Sequence, residues 1–527
     1  MVDRIHSFQD LIADLSGIIT KPGKTSNLLV TGIALDSRQV QFGNIFVALS
    51  GGQTEGHQFI ADAIQRGAVA IVGSQALKDI TVPYLQVENS RLALAQLSSA
   101  FYGHPARKMT IIGVTGTDGK TTTTNLIYNI LQTAGFNTGM VSTVNAIIGK
   151  EVIDTGYHVT TPEAPEVQQL LARMLHEGIT HVVLEATSHG LDQKRVAECE
   201  IDLAVITNIT HEHLDYHGNY EKYFASKTQL IYELAITGKK ATGNIRLAVI
   251  NHDDISYAPI QKLLNDKVLS IVNNTAYSCK EPTDFYATDI SSSSEGIAFV
   301  IHFKNKQWMI KSPMIGAYNV SNILAAFSTC VKGLEISPED AVRGIASMPP
   351  VPGRGERIEM GQDFITIVDF AHTPNALKVS LENARQLTRG RVIAVFGSAG
   401  LRDRAKRRMM AETSIQLANM TILTAEDPRT ERLDDILTEM ADAARKQGGE
   451  EGRNFLCVPD RGEAILQAVK MAEQGDLVIA CGKGHEQSMC FGTTEYPWDD
   501  RIAMKAALAE RLGVKGPKIP YLPTHEK

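Results

Sequence analysis

The chain has little that would tie it to a membrane, to nucleic acid or to an oxidising compartment. Its six cysteines (Cys199, Cys279, Cys330, Cys457, Cys481 and Cys490) form no C-x-x-C pair and keep no regular spacing. That excludes a zinc site or disulfide frame built from them and marks them as free thiols of a reducing compartment. No uncharged apolar run approaches the roughly 20 residues that span a bilayer. The opening residues Met1-Val-Asp-Arg-Ile-His-Ser-Phe8 lack a charged-then-apolar leader pattern, so a cytoplasmic protein is expected. With a net charge of -7 there is no basic excess for nucleic acid or anionic lipid. Any anionic substrate must be met by local basic clusters. No internal repeat and no low-complexity tract is present.

What is present is an ordinary globular balance over 527 residues, 43% hydrophobic and 21% charged. That length exceeds one core and, at about 150 residues per domain, suggests about three. The most informative stretch is Gly113-Val-Thr-Gly116-Thr117-Asp118-Gly119-Lys120-Thr121-Thr122. It follows the apolar run Met109-Thr-Ile-Ile112 and opens a helical pattern from Asn125. A glycine-rich turn between strand and helix lets backbone N–H groups surround phosphate oxygens at the positive end of the helix. Lys120 can reach terminal phosphates, and the hydroxyl of Thr121 can ligate Mg²⁺. The usual spacing would need glycine at Val114, so the loop is a variant with glycines at 113, 116 and 119. ATP binding is expected.

Around this loop the chain reads as a series of α/β units. Residues 1–103 hold the strand Asn44-Ile-Phe-Val-Ala-Leu49, a helix from Gln58 closed by Gly67, and the strand Ala68-Val-Ala-Ile-Val72. Tyr102 to Lys108 looks like a linker. In 104–348, strands at 109–114, 181–185, 202–208 and around Leu247 alternate with helices, the pattern of a mostly parallel doubly wound sheet. After the Pro/Gly-rich hinge Met348-Pro-Pro-Val-Pro-Gly-Arg354, residues 349–527 repeat it from Ile365, Arg391, Met420 and Asp476. The tail from Gly513 to Lys527, with three prolines, is expected to be partly loose.

Polar residues cluster just beyond the predicted strands. Glu185 ends His181-Val-Val-Leu184, where a carboxylate beside a phosphate loop can hold Mg²⁺ or its waters, or else cap the next helix. His211, His213 and His217 crowd the loop after Thr207, and His213 is the best single ligand candidate. Lys227 falls on the apolar stripe of the helix around Tyr223 to Leu234. A buried ammonium there has to be paired, neutral or modified, unless it snorkels to the surface. Asp369 and His372 follow another strand, as do Glu426 to Arg429 and Gly482-Lys-Gly-His-Glu486. The basic run Arg402 to Arg408 reads either as a carboxylate or phosphate clamp or as a solvated helix face. Polar loops along the carboxyl edges of two successive sheets imply a cleft between two domains.

In combination these segments resemble the Mur ligase family, in the branch that adds the third residue of the peptidoglycan stem peptide. The motifs that carry the likeness are Gly116 to Thr122, Glu185-Ala-Thr-Ser-His-Gly190, Thr207 to Gly218, Gly316-Ala-Tyr-Asn319-Val-Ser-Asn322 and Asp369-Phe-Ala-His-Thr-Pro374, with Asp427-Pro-Arg429 and the 482–486 stretch. The resemblance implies an α/β protein of three domains: a UDP-substrate domain, a central P-loop ATPase with a mostly parallel sheet, and a Rossmann-like C-terminal domain that closes over the site. It implies that ATP phosphorylates the D-Glu carboxylate of UDP-N-acetylmuramoyl-L-alanyl-D-glutamate, and that a free diamino acid attacks the acyl phosphate. A monomer using Mg²⁺ is expected.

Carried over by position, Lys227 resembles the family's carbamylated lysine, and Glu185 and His213 resemble its metal ligands. Leu35, Ser37 and Gly52-Gln53-Thr54 match uridine-nucleotide positions. Thr160, Thr161, Thr187, Gln193 and Arg195 match positions for the muramoyl-peptide. Asn322, Arg354 and Asp369 match nucleotide contacts, and Arg402, Glu426, Asp427, Pro428, Arg429, Gly482 and Glu486 match the acceptor pocket. The chain departs from the family at three places. Glu426-Asp427-Pro428-Arg429 stands where the diaminopimelate branch usually has Asp-Asn-Pro-Arg, Leu401 stands where Asp is common, and Val159 stands where Asn is common. Retained Arg429 favours diaminopimelate, whereas the extra acid at 427 favours lysine or ornithine; diaminopimelate is the expected acceptor. The rivals are a folylpolyglutamate synthetase-like ligase, against which the complete first domain argues, and a non-catalytic nucleotide-binding paralogue.

Overall fold

The computed structural model describes residues 5–22, 28–50, 55–153, 161–210, 212, 214–241, 243–293 and 295–524. Three large sheets follow one another along the chain. The first has five strands, in the order Ile18–Thr20, Tyr84–Val87, Ala70–Gly73, Asn44–Ala48 and Gly32–Ala34, parallel except for the first pair.

The central sheet has eleven strands. Its parallel middle runs Thr138–Val141, His181–Glu185, Thr110–Thr115, Leu203–Ile206, Leu247–Asn251, Asn273–Ser278 and Phe285–Ser293. Along these strands neighbouring residues feed opposite cores. Ile111, Leu184 and Ala204 pack with Tyr223 and Leu230 of the helix Tyr220–Ile236. Ile112, Val183 and Val205 pack with Leu126 and Ile127 of the helix Lys120–Thr133. Both faces are therefore covered, and the strands read as unbroken apolar runs. Antiparallel strands flank the parallel part at both edges, including Gly296–Phe303 and Lys306–Ser312.

The third sheet orders Glu356–Arg357, Ile365–Asp369, Leu477–Cys481, Val392–Phe396, Met420–Leu423 and Phe455–Cys457, parallel except at its first pair. Two cores again cover its faces. Residues Met348 and Val351, at the start of the predicted hinge, are buried in the central core. The tail is not loose through residue 524. Leu522 is buried in a core of the third unit, and Thr524 Oγ1 donates to Asp460 Oδ2 at 2.8 Å. Among the described residues, no helix is long and apolar enough to cross a membrane.

Candidate functional site

Gly113 is part of the strand Thr110–Thr115, not of the turn. A Cβ there would meet Leu230 Cδ1 at 2.8 Å, so this glycine serves helix packing, and the phosphate-loop reading of it is corrected. The turn itself needs the other two. A Cβ on Gly116 would lie 1.8 Å from Thr207 Oγ1. One on Gly119, whose φ is +81°, would lie 2.2 Å from Asn322 Oδ1. Gly119 is the N-cap of the helix Lys120–Thr133 and supplies no side-chain cap, so the amides of the first turn face outward at the positive helix end. Thr117 and Asp118 direct their own amides to Asn208, to its carbonyl oxygen and to Oδ1. Lys120 folds back, with Nζ donating to the Thr117 carbonyl at 2.8 Å.

Glu185 is buried at its strand end. Oε1 accepts from Thr121 Oγ1 at 3.1 Å and from Thr143 Oγ1 at 2.7 Å, and Oε2 accepts from the Thr143 amide at 3.0 Å. It does not cap a helix, because Thr187 is the cap of Ser188–Asp192. Thr143 escaped the sequence reading, yet its place just past the strand Thr138–Val141 follows the same rule as Glu185. The hydroxyl of Thr121 and the Glu185 carboxylate are adjacent hard oxygens, the donor type Mg²⁺ takes, so this pair fits that ion. Among the described residues no group of three or more His, Cys, Asp or Glu could hold a metal. His213 lies outside the described residues.

Lys227 does not snorkel. It is 2% exposed, donates to the Gly116 carbonyl at 2.5 Å and lies 4.8 Å from the centre of the Tyr223 ring. Burial, and then the charge of Lys120, hold its amine well below the usual lysine range. Burial therefore disfavours the charged form of this amine.

Across the cleft, Arg354 Nη2 donates to Thr121 Oγ1 at 3.3 Å while its guanidinium stacks 4.1 Å over Phe370. Asp369 accepts from the Gly355 and Phe370 amides and from Ser380 Oγ. His372 lies 3.8 Å from Glu212, and burial holds its imidazole below the usual range. Asn322 is buried and donates to Asn319 Oδ1 at 2.9 Å. The carboxyl edges of the second and third sheets therefore meet at Thr121, Glu212, Arg354 and His372.

On the side of the first sheet, Thr161, Thr187, Gln193 and Arg195 come together. The two threonine hydroxyls are 3.1 Å apart, Arg195 Nη1 donates to the Thr161 carbonyl at 2.7 Å, and Arg195 Nη2 donates to Gln193 Oε1 at 2.8 Å. Glu163, absent from the sequence reading, pairs with Arg195 at 2.7 Å. Arg91 reaches Gln193 from the first unit at 3.5 Å. Ser37 is buried at the start of the turn Ser37–Gln39, and Leu35 is partly buried just before it. Gly52, Gln53, Thr54, Thr160 and Val159 lie outside the described residues.

In the third unit, Glu426, Asp427, Gly482 and Glu486 gather around Lys483, while Pro428 lies against Gly400. The Lys483 ammonium is 3.1 Å from Asp427 Oδ1 and 2.5 Å from Glu486 Oε2. Glu426 Oε2 is buried without a hydrogen-bond partner, and a Cβ on Gly482 would come within 2.2 Å of it. Burial pushes the Glu426 carboxyl up to about 7, against Arg461 and Lys483, which favour its charged form. Arg461 is fully buried and held by both oxygens of Asp500, with distances of 2.7 Å. Arg402 is exposed and shares no ion pair with these residues. Most of its basic run is structural. Arg407 is buried and pairs with Glu431 and Glu439, and Arg404 and Arg408 also reach Glu439. Leu401, 60% exposed, holds φ at +57°, a left-handed conformation unfavourable for leucine.

The comparisons with known proteins agree with this arrangement. Residues 29–102, 114–330 and 353–484 match, in turn, the Mur ligase family catalytic domain, the Mur ligase middle domain and the Mur ligase glutamate ligase domain. The chain is an ATP-dependent ligase and belongs to the Mur ligase family. It is 42% identical over 494 residues to a UDP-N-acetylmuramyl-tripeptide synthetase of Roseiflexus sp. (strain RS-1), covering 92% of this chain and 96% of the relative. It is 37% identical over 503 residues to a UDP-N-acetylmuramoyl-L-alanyl-D-glutamate–2,6-diaminopimelate ligase of Geobacillus kaustophilus (strain HTA426), covering 95% and 99%. A solved structure of a ligase with that same name superposes over 96% of this chain and 99% of its own, with a TM-score of 0.67 and 29% identity.

Proposed function

We propose that the protein adds meso-diaminopimelate to the D-Glu carboxylate of UDP-N-acetylmuramoyl-L-alanyl-D-glutamate, forming ADP and phosphate, in peptidoglycan precursor synthesis. The observation that carries this reading is the near full-length likeness to diaminopimelate ligases, joined to an Arg429 guanidinium that makes no ion pair among the described residues. An unpaired guanidinium can take the distal carboxylate in a bidentate fork. The three units act as a UDP-substrate domain (1–103), an ATPase domain (104–348) and an acceptor domain (349–527). A cytoplasmic location fits the six free thiols, and the protein acts as a monomer in this reading.

A carboxylate resists attack by an amine until it is activated. Its oxygen takes the γ-phosphoryl group and ADP leaves. The free amine then attacks the acyl carbon, phosphate leaves, and the amine proton passes to solvent. The outward amides of Gly119 to Thr122 and the Lys120 ammonium bind and orient the phosphates. Thr121 and Glu185 would hold Mg²⁺ together with His213 and the carbamate of Lys227. When bound, that ion supplies positive charge against the transferring phosphoryl group. Asn322, beside Gly119 in the ATPase unit, and Arg354 and Asp369, from the far side of the cleft, hold the nucleotide. Leu35, Ser37 and Gly52 to Thr54 hold the uridine, and Thr160, Thr161, Thr187, Gln193 and Arg195 hold the muramoyl-peptide. The acceptor lies among Arg402, Glu426 to Arg429, Gly482 and Glu486.

ADP release with the UDP-dipeptide, measured separately with meso-diaminopimelate, lysine and ornithine, tests the reading. Stimulation by diaminopimelate is expected. Stimulation by lysine alone, or by none of the three, overturns it. The acceptor KM is also expected to fall as pH rises through about 7, because Glu426 then gains the charge that meets an ammonium group. Glu426→Gln should remove that inflection and raise KM about tenfold or more, the worth of one charged hydrogen bond. An unchanged pH profile in the variant breaks the assignment.

A further inference from the structure

Asp427 is where the choice of acceptor turns, because a free acid beside Arg429 would repel the distal carboxylate of diaminopimelate. In the fold this acid is already engaged. Its Oδ1 takes both the Lys483 ammonium, at 3.1 Å, and the Cys490 amide, at 2.9 Å. Lys483 has no exposed side-chain surface, so water does not screen the pair. The backbone holds the arrangement. Asp427 has φ +40°, a region Asp and Asn tolerate best, and Arg429 has φ +54°. Arg429 is stitched to the strand Ser488–Phe491 and its turn through the Cys490 carbonyl and the Gly492 amide. Of the other cations here, Arg461 is spent on Asp500, and Lys483 is shared between Asp427 and Glu486. Among the described residues the Arg429 guanidinium makes no ion pair.

Resting on the acceptor reading above, we infer that Lys483 is a positioning residue that sets which diamino acid is accepted. By engaging the Asp427 carboxylate it cancels the acid that departs from the family pattern, and leaves Arg429 to meet a zwitterionic distal end. The arrangement acts as a charge filter. Diaminopimelate offers an ammonium and a carboxylate at that end, lysine only an ammonium. A pocket with the Asp427 charge uncovered would favour lysine.

The test is the ratio of kcat/KM for meso-diaminopimelate to that for lysine, in the full-length enzyme and three variants. Asp427→Asn is expected to keep the ratio within about threefold, since its charge is already countered. Lys483→Met is expected to lower the ratio about tenfold or more, with lysine use retained. The double variant Lys483→Met/Asp427→Asn is expected to return the ratio toward that of the parent. Equal loss of both acceptors in Lys483→Met, not recovered in the double variant, would leave Lys483 a purely structural residue and overturn the inference. So would a tenfold or greater rise of the ratio in Asp427→Asn, and that measurement decides the matter alone if Lys483→Met does not fold. A parent enzyme that uses neither amino acid fails the acceptor reading itself, and the role of Lys483 with it.

Discussion

Lys227→Ala is expected to lower ligation roughly a thousandfold, about 4 kcal/mol of transition-state stabilisation, with part of the loss recovered by acetate or another short carboxylate. The expectation starts from the burial of the amine, which disfavours its charged form. The uncharged amine is the form that adds to carbon dioxide, losing a proton and becoming a carbamate. The carbamate puts an anion in place of the amine where the Glu185 charge is felt, an arrangement that a cation between the two would favour. Removing bicarbonate from the buffer should therefore lower parent activity and leave the alanine variant unaffected. The substitution also strands the Gly116 carbonyl, which now accepts from Nζ, at a cost of about 1–3 kcal/mol. A thermal melt separates that structural loss from the chemical one. Full activity of Lys227→Ala, with no response to bicarbonate or acetate, would remove the carbamate from the mechanism.

Gly116→Ala is the second substitution with a large expected effect, a loss of ADP formation on the order of a hundredfold or more. The added Cβ would sit 1.8 Å from Thr207 Oγ1, far inside contact distance, so the loop must move. Thr207 cannot simply turn away. Its hydroxyl donates to the Asp118 carbonyl at 2.6 Å and helps fix the loop that carries Lys120. Adding Thr207→Ala to Gly116→Ala removes the colliding oxygen and is expected to recover part of the rate, while Thr207→Ala alone costs less than Gly116→Ala. ADP formation with saturating acceptor, together with the nucleotide Kd, reads the effect. A Gly116→Ala variant with parental turnover would mean that the loop does not need its present shape.

The central strands were legible because a parallel strand covered on both faces has no polar alternation, as in Leu203–Ile206. Glu185 and Asp369 were legible for the same reason, each being the first charged residue after such a run. The strands Phe285–Ser293 and Gly296–Phe303 were not. Their alternate residues face away from the core, and Asp289-Ile290-Ser-Ser-Ser293 reads as a loop. Lys227 announced itself by lying on an apolar helical stripe. Gly113 misled, because a glycine needed for helix packing looks the same in sequence as one needed for a turn. The engagement of Asp427 was invisible, since Lys483 stands 56 residues away and only the parallel sheet brings the two loops together.

The contact between Glu426 and Gly482 also constrains how this chain can change. With glutamate at 426, any side chain at 482 would run into its carboxylate, so position 482 is closed to substitution. Aspartate at 426 is one methylene shorter and would draw the carboxylate back. The two positions are therefore coupled, but unequally. Shortening 426 relieves the collision, while the φ of +109° at 482 still strains any L side chain, so glycine stays favoured there whatever stands at 426.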